Sequence, residues 1–320
     1  MCAFKYTSAF LTGVAYVGLA ATGLVAAAQT PSAPAASRTA AVRTFDSAKH
    51  AADALIEAAD QFDINALEAI FGADVDLVLT GNYAEDRQRA KGFVEAAEDK
   101  QSVSIDPKTR ARAFLIVGDE DWPFPVPIVK RGQTWSFDAR AGRQELLYRR
   151  IGADEFDAIA ICRGYVEAQH EYALEPRNGF DVNQYAQRVI STPGTHDGLA
   201  WKNDDGSWGG TVGEAIANAI QQGYTNRSQP YHGYYFKMLP GQGPAAPLGQ
   251  LDFVVNGAMI GGFALVAAPA QYGVSGVKTF MVSHDGVVYQ QDLGPATLDE
   301  FAKMTRFNPD KSWKPVATTD

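Results

Sequence analysis

The stretch GFALVAAPAQYGVSGVKTFMVSHDGVVYQQDLG, residues 262–294, decides the expected fold. Its first part, GFALVAAPA, is apolar almost throughout, which is typical of a strand that is covered on both faces. The rest places two strand-like runs on either side of Asp285-Gly286, a dipeptide that favours a tight β-hairpin. We therefore predict an antiparallel sheet in the C-terminal half, with GFALVAAPA as an interior strand.

A long helix is predicted upstream of this sheet, over ADEFDAIAICRGYVEAQHEYALE. Asp154 is the expected N-cap. The expected buried stripe consists of Phe156, Ile159, Cys162, Val166 and Ala173. Residues 151–320 are therefore expected to form a helix-plus-antiparallel-sheet domain. One face of the interior strand should meet this helix. The other should meet the N-terminal helices or a Pro-rich arm, with Trp122 or Trp135 at the contact.

Residues 43–150 are expected to form a helical region with a β-hairpin. The apolar positions that recur at helical spacing are Phe45, Ala48, Ala52, Leu55 and Ala59. Asp63 or Asn65 could cap a second helix, and a third is expected from about Glu85 to Glu98. WPFPVPIVKRGQTWSFD then predicts a Pro-rich edge strand or extended arm and a hairpin that turns at Arg131-Gly132. The predicted class is α+β, with these helices and the hairpin packed against the long helix and sheet.

The N-terminus has the pattern of a secretory signal peptide over residues 1–28. Lys5 precedes an apolar run, residues 9–28, that ends in three alanines. An uncleaved membrane anchor is the alternative, because a run of about 20 apolar residues can span a bilayer. Residues 29–42, rich in Ala, Pro and Ser, are expected to be a disordered leader. We therefore expect a periplasmic or secreted protein with no membrane span after cleavage.

Composition excludes some classes of function. The 320-residue chain is 46% hydrophobic and 20% charged, as in soluble globular proteins. Its formal net charge of −9, without a basic stripe, argues against a nucleic-acid partner. Cys2 would leave with the signal peptide, so Cys162 would remain alone and could form no internal disulfide. The place of Cys162 on the predicted helix indicates a buried structural thiol rather than a nucleophile.

The chain resembles an exported bacterial family, catalogued as domain of unknown function 2950, in six phrases that occur in the same order. They are WPFPVPIVKRGQTWSFDARAG, ELLYRRIGADEFDAI, AQHEYA, PYHGYYFKML, GFALVAAPAQYGVSGVKTFMV and GVVYQQDLG. The resemblance covers about residues 45–316 and implies export from the cytoplasm, but no activity. The chain departs from the family pattern at DGSWGGTVGEA, which leaves the role of that loop open.

The C-terminal half also resembles the globular heads of type IV pilin-like proteins. The phrases that carry this resemblance are DEFDAIAICRGYVEAQHEYA, HGYYF, GFALVAAPA and TFMVSHDGVVY. It implies a long helix that packs against an antiparallel sheet. A pilin's apolar N-terminal helix would continue directly upstream of residue 154, where this chain has Arg149 and Arg150. The resemblance therefore implies the fold of the head without the pilus assembly mode.

Three catalytic motifs are incomplete in this sequence. Gly273-Val274-Ser275-Gly276 lacks the second glycine that a nucleophile elbow requires, because Val277 stands there. GSWGGTVGEAI opens a predicted helix, from Thr211 to Gly223, but lacks the Lys-Ser/Thr of a phosphate loop. The carboxylate clusters Asp119-Glu120-Asp121 and Asp204-Asp205 lie in polar loops, where a solvated surface is the simpler interpretation.

Two His-Asp-Gly turns are the candidates for a metal site. They place His196 beside Asp197 and His284 beside Asp285. If the two turns met in space, two imidazoles and two carboxylates could bind a divalent cation. Asp-Gly hairpin turns alone also explain both sequences, so no cofactor is predicted.

An aromatic set is the candidate for binding. It comprises Tyr231, His232, Tyr234, Trp201 and Trp208, with Tyr235 and Phe236 beside them. On one strand, Tyr231 and Tyr235 would point to one face and His232, Tyr234 and Phe236 to the other. One face would be core, and the other could form a patch for an envelope protein, a glycan or a peptide.

Two hypotheses of function follow. The first is an exported, non-enzymatic envelope protein that acts in binding or scaffolding through a pilin-like β domain. The second is a periplasmic hydrolase or metal-dependent enzyme built on the His-Asp-Gly turns. An enzyme should have a concave pocket in which polar groups from distant segments converge, whereas a scaffold should present a flat surface or an edge strand.

Overall fold

A computed structural model describes residues 42–177, 179, 181–212 and 230–317. The predicted signal peptide, nearly all of the predicted leader, and residues 213–223 of the helix predicted from Thr211 lie outside the described residues. Among the described residues, no helix combines the length and the apolar character that crossing a membrane requires.

Four of the α-helices in the described residues each begin after a residue whose polar side chain caps the first turn. The helix bounds are α1 Ala48–Asp60, α2 Ile64–Phe71, α3 Tyr83–Asp99, α4 Ala139–Tyr172 and α5 Thr297–Lys303, with 3-10 helices at Gly72–Leu77 and Gly294–Ala296. Asp63 accepts a hydrogen bond from the Ala66 N–H, as predicted for α2. Ser47, Asn82 and Asp138 cap α1, α3 and α4 in the same way.

The strands of the described residues form two larger sheets and three small ones. Their bounds are β1 Gln101–Ile105, β2 Arg112–Val117, β3 Trp122–Pro123, β4 Ile128–Arg131, β5 Thr134–Phe137, β6 Arg188–Ile190, β7 Gly198–Lys202, β8 Trp208–Gly210, β9 Tyr234–Leu239, β10 Gly241–Gln242, β11 Leu251–Asp252, β12 Val254–Val255, β13 Ala258–Met259, β14 Ala264–Pro269, β15 Lys278–Ser283, β16 Val288–Asp292 and β17 Lys314–Pro315. The N-terminal sheet has the order β1-β2-β4-β5, with β3 on β2, and the central sheet has the order β17-β16-β15-β14-β9. The predicted α+β class is confirmed.

The first hydrophobic core lies between α1–α3 and the N-terminal sheet. Its buried side chains include Leu55, Leu67, Ile70, Phe71, Leu115, Val126 and Phe137. The Pro-rich segment supplies the short strand β3, and β4 and β5 form the hairpin predicted around Gly132. Trp135 is buried and pairs with Phe45 by two backbone hydrogen bonds of 2.8 Å. Trp122 is 45% exposed, so Trp135 is the one of these two tryptophans that is buried in this core.

Helix α4 begins sixteen residues earlier than predicted. Its N-cap is Asp138, whose side chain accepts from the Ala141 N–H, and the predicted cap Asp154 lies inside the helix. No proline interrupts residues 139–153, so the helix continues through the predicted domain boundary at 150/151. At about 1.5 Å per residue, its 34 residues run from the first core to the second.

The buried face of α4 is also rotated from the prediction. Cys162 and Val166 are buried as predicted, but Phe156 is 73% exposed. Because Phe156 precedes Cys162 by six residues, the two side chains point about 120° apart around the helix. The residues that face the second core are Ala158, Cys162, Tyr165, Val166, Ala168 and Tyr172.

Strand β14 is the predicted interior strand, with every residue buried between β9 and β15. Helix α4 covers one face of this sheet, and Glu155 accepts hydrogen bonds from the Val277 and Lys278 N–H groups, at 2.9 and 3.0 Å. The prediction for the other face was wrong. Helix α5 covers it, since the chain returns over the sheet after β16 and places Phe301 beneath Lys237, the β9 partner of Val266.

Candidate ligand-binding cavities

The first core borders an open cavity of about 610 Å³, here called the N-terminal cavity. Its walls come from α1, α2, α3, the segment after the first 3-10 helix, the end of β2, and the Pro-rich segment. The apolar lining consists of Leu55, Ala59, Leu67, Leu77, Val78, Leu79, Ala90, Phe93, Ala96, Val117, Trp122, Phe124, Pro125 and Val126. Small-molecule sites have this character, namely a concave, mostly apolar space with few polar groups.

The lining includes one buried carboxylate, Asp86, which accepts hydrogen bonds from the backbone. Its oxygens accept hydrogen bonds from the Thr80 N–H, the Thr80 hydroxyl and the Gly81 N–H, at 2.8–3.1 Å. These bonds, led by the one from the Thr80 N–H, hold the pKa of Asp86 below its usual value. They also fasten the turn at Thr80 to α3, so that Leu79 lies in the cavity wall. The carboxylate is therefore engaged in structure.

The opposite wall depends on aromatic packing around Phe124. The Phe124 ring lies 5.5 Å from Phe93, 6.2 Å from Phe137 and 6.3 Å from Trp122, measured between centroids. Such tilted and edge-on pairs are favourable beyond the area that they bury. Phe124 and Val126 face the core because the prolines that alternate with them keep this segment extended.

The mouth of the cavity is acidic and aromatic. Asp119 and Glu120, in the β2–β3 turn, line it and are exposed. Trp122 follows them, with the Arg149 guanidinium 5.3 Å from its ring centroid. Arg149 also donates to the Pro123 carbonyl at 2.9 Å, so α4 holds this rim in place.

A family model described as "Protein of unknown function (DUF2950)" matches residues 42–316. The chain belongs to the DUF2950 family. Comparisons with curated proteins and with solved structures find no match. They give no support to the resemblance to pilin heads. The resemblance implied a long helix packed on an antiparallel sheet, and this DUF2950 chain has that arrangement.

The aromatic strand predicted in this DUF2950 chain begins later than expected. Tyr231 and Tyr234 exchange two backbone hydrogen bonds of 2.9 Å, which closes a tight turn at His232-Gly233. Both turn residues have positive φ, 45° and 72°, as a type I′ hairpin turn requires. The predicted alternation from Tyr231 was therefore wrong, because two turn residues interrupt it. Tyr234, Tyr235 and Phe236 are all buried, so this strand presents no aromatic patch.

Tyr234 has a structural role. Its hydroxyl donates a hydrogen bond to the Lys278 carbonyl at 2.8 Å. Burial raises the pKa of this phenol well above its usual value, with further contributions from Glu155 and Asp154. Gly276 leaves room for the ring, since a Cβ there would lie 2.2 Å from the Tyr234 hydroxyl. Tyr234 therefore fastens β9 to β15.

Tyr231 and His232 border a second cavity, of about 420 Å³. Its other walls include Tyr165 of α4 and Leu265 of β14, and its lining reaches Val212, where the described segment ends. His232 Nδ1 lies 2.5 Å from Asp157 Oδ2. The structure thus brings two of the predicted binding residues to one cavity, beside a carboxylate of α4.

Trp201 and Trp208 lie apart from that lining, on the small sheet β6-β7-β8. The Trp201 ring lies 4.5 Å from the His196 ring and 5.1 Å from the Arg177 guanidinium carbon. Gly209 packs against the indole, because a Cβ there would come within 2.7 Å of Trp201 Nε1. Trp208 is half-buried on the neighbouring strand β8. The predicted five-residue aromatic site is therefore divided.

The two His-Asp-Gly turns do not form a metal site. In the described residues, no group of three His, Cys, Asp or Glu side chains is arranged to hold a metal ion. Asp197 accepts hydrogen bonds from Thr192 and Thr195, and the His284 ring packs edge-on against Phe253 and Phe263. Asp285 accepts from Ser283 and the Val287 N–H within its own turn. Local turn chemistry accounts for both carboxylates.

Two other sequence candidates also have local roles. The Ser275 hydroxyl accepts from the Gln271 N–H at 3.1 Å and so closes a turn. Cys162 is fully buried, as predicted, and burial raises the pKa of its thiol to about 12. The carboxylates Asp119 and Glu120, interpreted as solvated surface, are exposed but lie at the mouth of the N-terminal cavity. Sequence reasoning missed that cavity, because each wall residue resembles an ordinary core position.

Proposed function

We propose that this protein is an exported envelope protein that binds a small, mainly apolar ligand in the N-terminal cavity and does not transform it. The observation that carries the proposal is the cavity, with its volume of about 610 Å³ and its apolar walls from six segments. That volume lies within the range of about 300–1,000 Å³ that is usual for small-molecule sites.

Binding accounts for the polar groups of this cavity better than catalysis does. A catalytic site needs titratable groups that are free to exchange protons or to attack a substrate. Asp86 is saturated by backbone and hydroxyl donors, and Arg89 forms an ion pair with Glu85. Asp119 and Glu120 lie at the exposed rim. The walls would therefore exclude water from an apolar ligand without presenting a nucleophile to it.

The cavity also supports binding better than the sheet surface does. Both faces of the central sheet are covered, by α4 and by α5, and the aromatic residues of β9 are buried. Binding of a partner through the face of a pilin-like sheet would need that face to be exposed. Export rests on the apolar run at residues 9–28 and its three terminal alanines. N-terminal sequencing of protein from the cell envelope is expected to begin near Gln29.

The proposal is tested with N-phenyl-1-naphthylamine, a probe whose fluorescence rises in apolar surroundings. Protein purified in its exported form should bind the probe saturably. Ala90→Trp fills the cavity from α3, whereas Ala84→Trp adds the same ring at an exposed position of that helix. We expect Ala90→Trp to weaken binding by at least about tenfold, and Ala84→Trp to leave it unchanged. Equal binding by both variants would place the probe elsewhere, and no binding by the wild type would refute the proposal.

A further inference from the structure

We propose that the ligand of the N-terminal cavity is a single-chain amphiphile with a cationic head group, and that Asp119 and Glu120 recognise that charge. This inference rests on the proposed function. The apolar walls would hold the chain, and the charged end would lie at the mouth.

The balance of charge at the mouth carries the inference. Three cations near the mouth each have a carboxylate partner: Arg89 with Glu85, Lys100 with Asp121 at 2.7 Å, and Arg149 with Glu145 at 2.9 Å. Asp119 and Glu120 make no ion pair or side-chain hydrogen bond with any described residue. The rim therefore carries two uncompensated negative charges, which attract a cation and repel an anion.

The inner part of the cavity, away from its mouth, offers no free charge that would attract a cation. Asp86 is the carboxylate there, and the Thr80 and Gly81 donors occupy its oxygens. Apart from Arg89, which forms an ion pair with Glu85, the remaining lining away from Asp119 and Glu120 is apolar. A charged group would lose its hydration without a partner if it moved inward. The ligand is therefore oriented with its head at the rim.

Trp122 adds an aromatic contact at the same place. Its side chain lines the cavity and remains 45% exposed, next to the two carboxylates in sequence. The Arg149 guanidinium lies over this ring, so a ligand would contact the part of the indole that remains exposed. Aromatic rings attract ammonium groups within about 6 Å of their centroids. A quaternary ammonium therefore suits the rim better than a neutral polar head.

The volume favours a small amphiphile over a protein segment. Helices bound the cavity on one side, the sheet and the Pro-rich segment bound it on the other, and its open side is lined by the exposed residues Arg89, Asp119, Glu120 and Trp122. A volume of about 610 Å³ accommodates an alkyl chain. We therefore take the occupant to be a soluble or membrane-derived cationic amphiphile with one alkyl chain.

Calorimetry with three dodecyl probes tests the inference, each used below its micelle-forming concentration. Dodecyltrimethylammonium, dodecanoate and dodecyl maltoside share a chain and differ in head charge. We expect the ammonium probe to bind about tenfold more tightly than dodecanoate, with the maltoside between them, and the preference to weaken as salt is added. The double variant Asp119→Asn/Glu120→Gln should reduce that difference to about twofold or less. The control Lys100→Gln/Asp121→Asn removes an ion pair at the same turn without changing the net charge, and it should keep the preference.

The outcomes separate this inference from the proposed function. Equal binding of all three probes, or tighter binding of dodecanoate, would overturn the cationic head group while leaving an apolar ligand in place. A preference that survives the double variant would overturn the role of Asp119 and Glu120. Failure of all three probes to bind would refute the proposed function itself.

Discussion

Gly142 of α4 lies so close to Val126 that a Cβ on Gly142 would come within 2.6 Å of Val126 Cγ2. Val126 is also a wall residue of the N-terminal cavity. The absence of a side chain at Gly142 therefore lets the Pro-rich segment lie against the long helix, and this contact fixes one side of the cavity.

Gly142→Ala should destabilise the protein, although alanine is the better helix former. The added methyl group would displace Val126 and its backbone, at a cost of about 1–3 kcal/mol. Gly152→Ala, in the same helix, has nothing within 4 Å of the added Cβ and should stabilise by about 0.5–1 kcal/mol. Urea denaturation of both variants measures the two signs. Stabilisation by Gly142→Ala would contradict the close contact.

Val266→Asp should be severely destabilising. Val266 is fully buried in β14, between its partners Lys237 and Met281, and α5 covers this face. A carboxylate there would be buried beside Lys237, whose ammonium already donates to the Phe301 carbonyl, and should cost about 3 kcal/mol or more. Val255→Asp, on a strand where the side chain is 42% exposed, should change the free energy of unfolding by less than about 1 kcal/mol. Similar losses in the two variants would show that β14 is not interior.

The Cys162 thiol should react slowly in the native state. It is fully buried, and a pKa of about 12 leaves very little thiolate at neutral pH. Labelling with a bulky thiol reagent should proceed only through opening of the protein and should accelerate in denaturant. Cys162→Ser should lower the free energy of unfolding by about 1–3 kcal/mol, because a hydroxyl would be buried there. Rapid labelling without denaturant would contradict this assignment.

Asp154 should make the protein less stable as pH rises, whereas an ion-paired carboxylate makes a protein less stable as pH falls. Burial raises its pKa above the ordinary value of 3.8, the Asp157 charge adds to this, and Arg150 and His232 act against it. The native state therefore binds the proton more tightly than the unfolded chain does. This relative stabilisation is complete below pH 3.8 and is lost as pH rises through the raised native pKa.

Asp154→Asn should consequently be more stable than the wild type at neutral pH, and the difference should disappear below about pH 3.8. Thermal unfolding across this range measures the effect. Glu167→Gln, at an exposed position of α4, provides the control and should show no such trend. A variant that is less stable than the wild type at neutral pH would show that the Asp154 charge is favourable in the native state.

Local patterns predicted those elements whose determinants lie within a few residues. Asp63 caps α2, Asp285-Gly286 turns the hairpin, and the apolar run of β14 is buried on both faces. The start of α4 was not predicted, because Asp138 and Asp154 are equally suitable caps. Only the packing of residues 139–153 near the first core decides between them.

Local sequence patterns did not predict the candidate site either, because it too depends on how distant segments pack together. Leu55, Val117 and Val126 come from a helix, a strand and an extended segment, and each has the sequence pattern of a core residue. A cavity arises when such residues fail to fill the space between them, and no spacing in the sequence encodes that failure. His232 was predicted to lie on a strand because the residues around it alternate in the manner of a strand. In the structure His232 and Gly233 both have positive φ and form a turn, which the alternation of residue types does not reveal.

Nuclear Overhauser contacts to isotope-labelled methyl groups would show directly where a bound apolar ligand lies in the protein. With N-phenyl-1-naphthylamine bound, we predict contacts from the probe to the methyl groups of Leu55, Val117 and Val126, which line the N-terminal cavity. The Val266 methyl groups, in the second core, should make none. Probe contacts confined to the second core, or a spectrum that the probe leaves unchanged, would show that the N-terminal cavity is not the binding site.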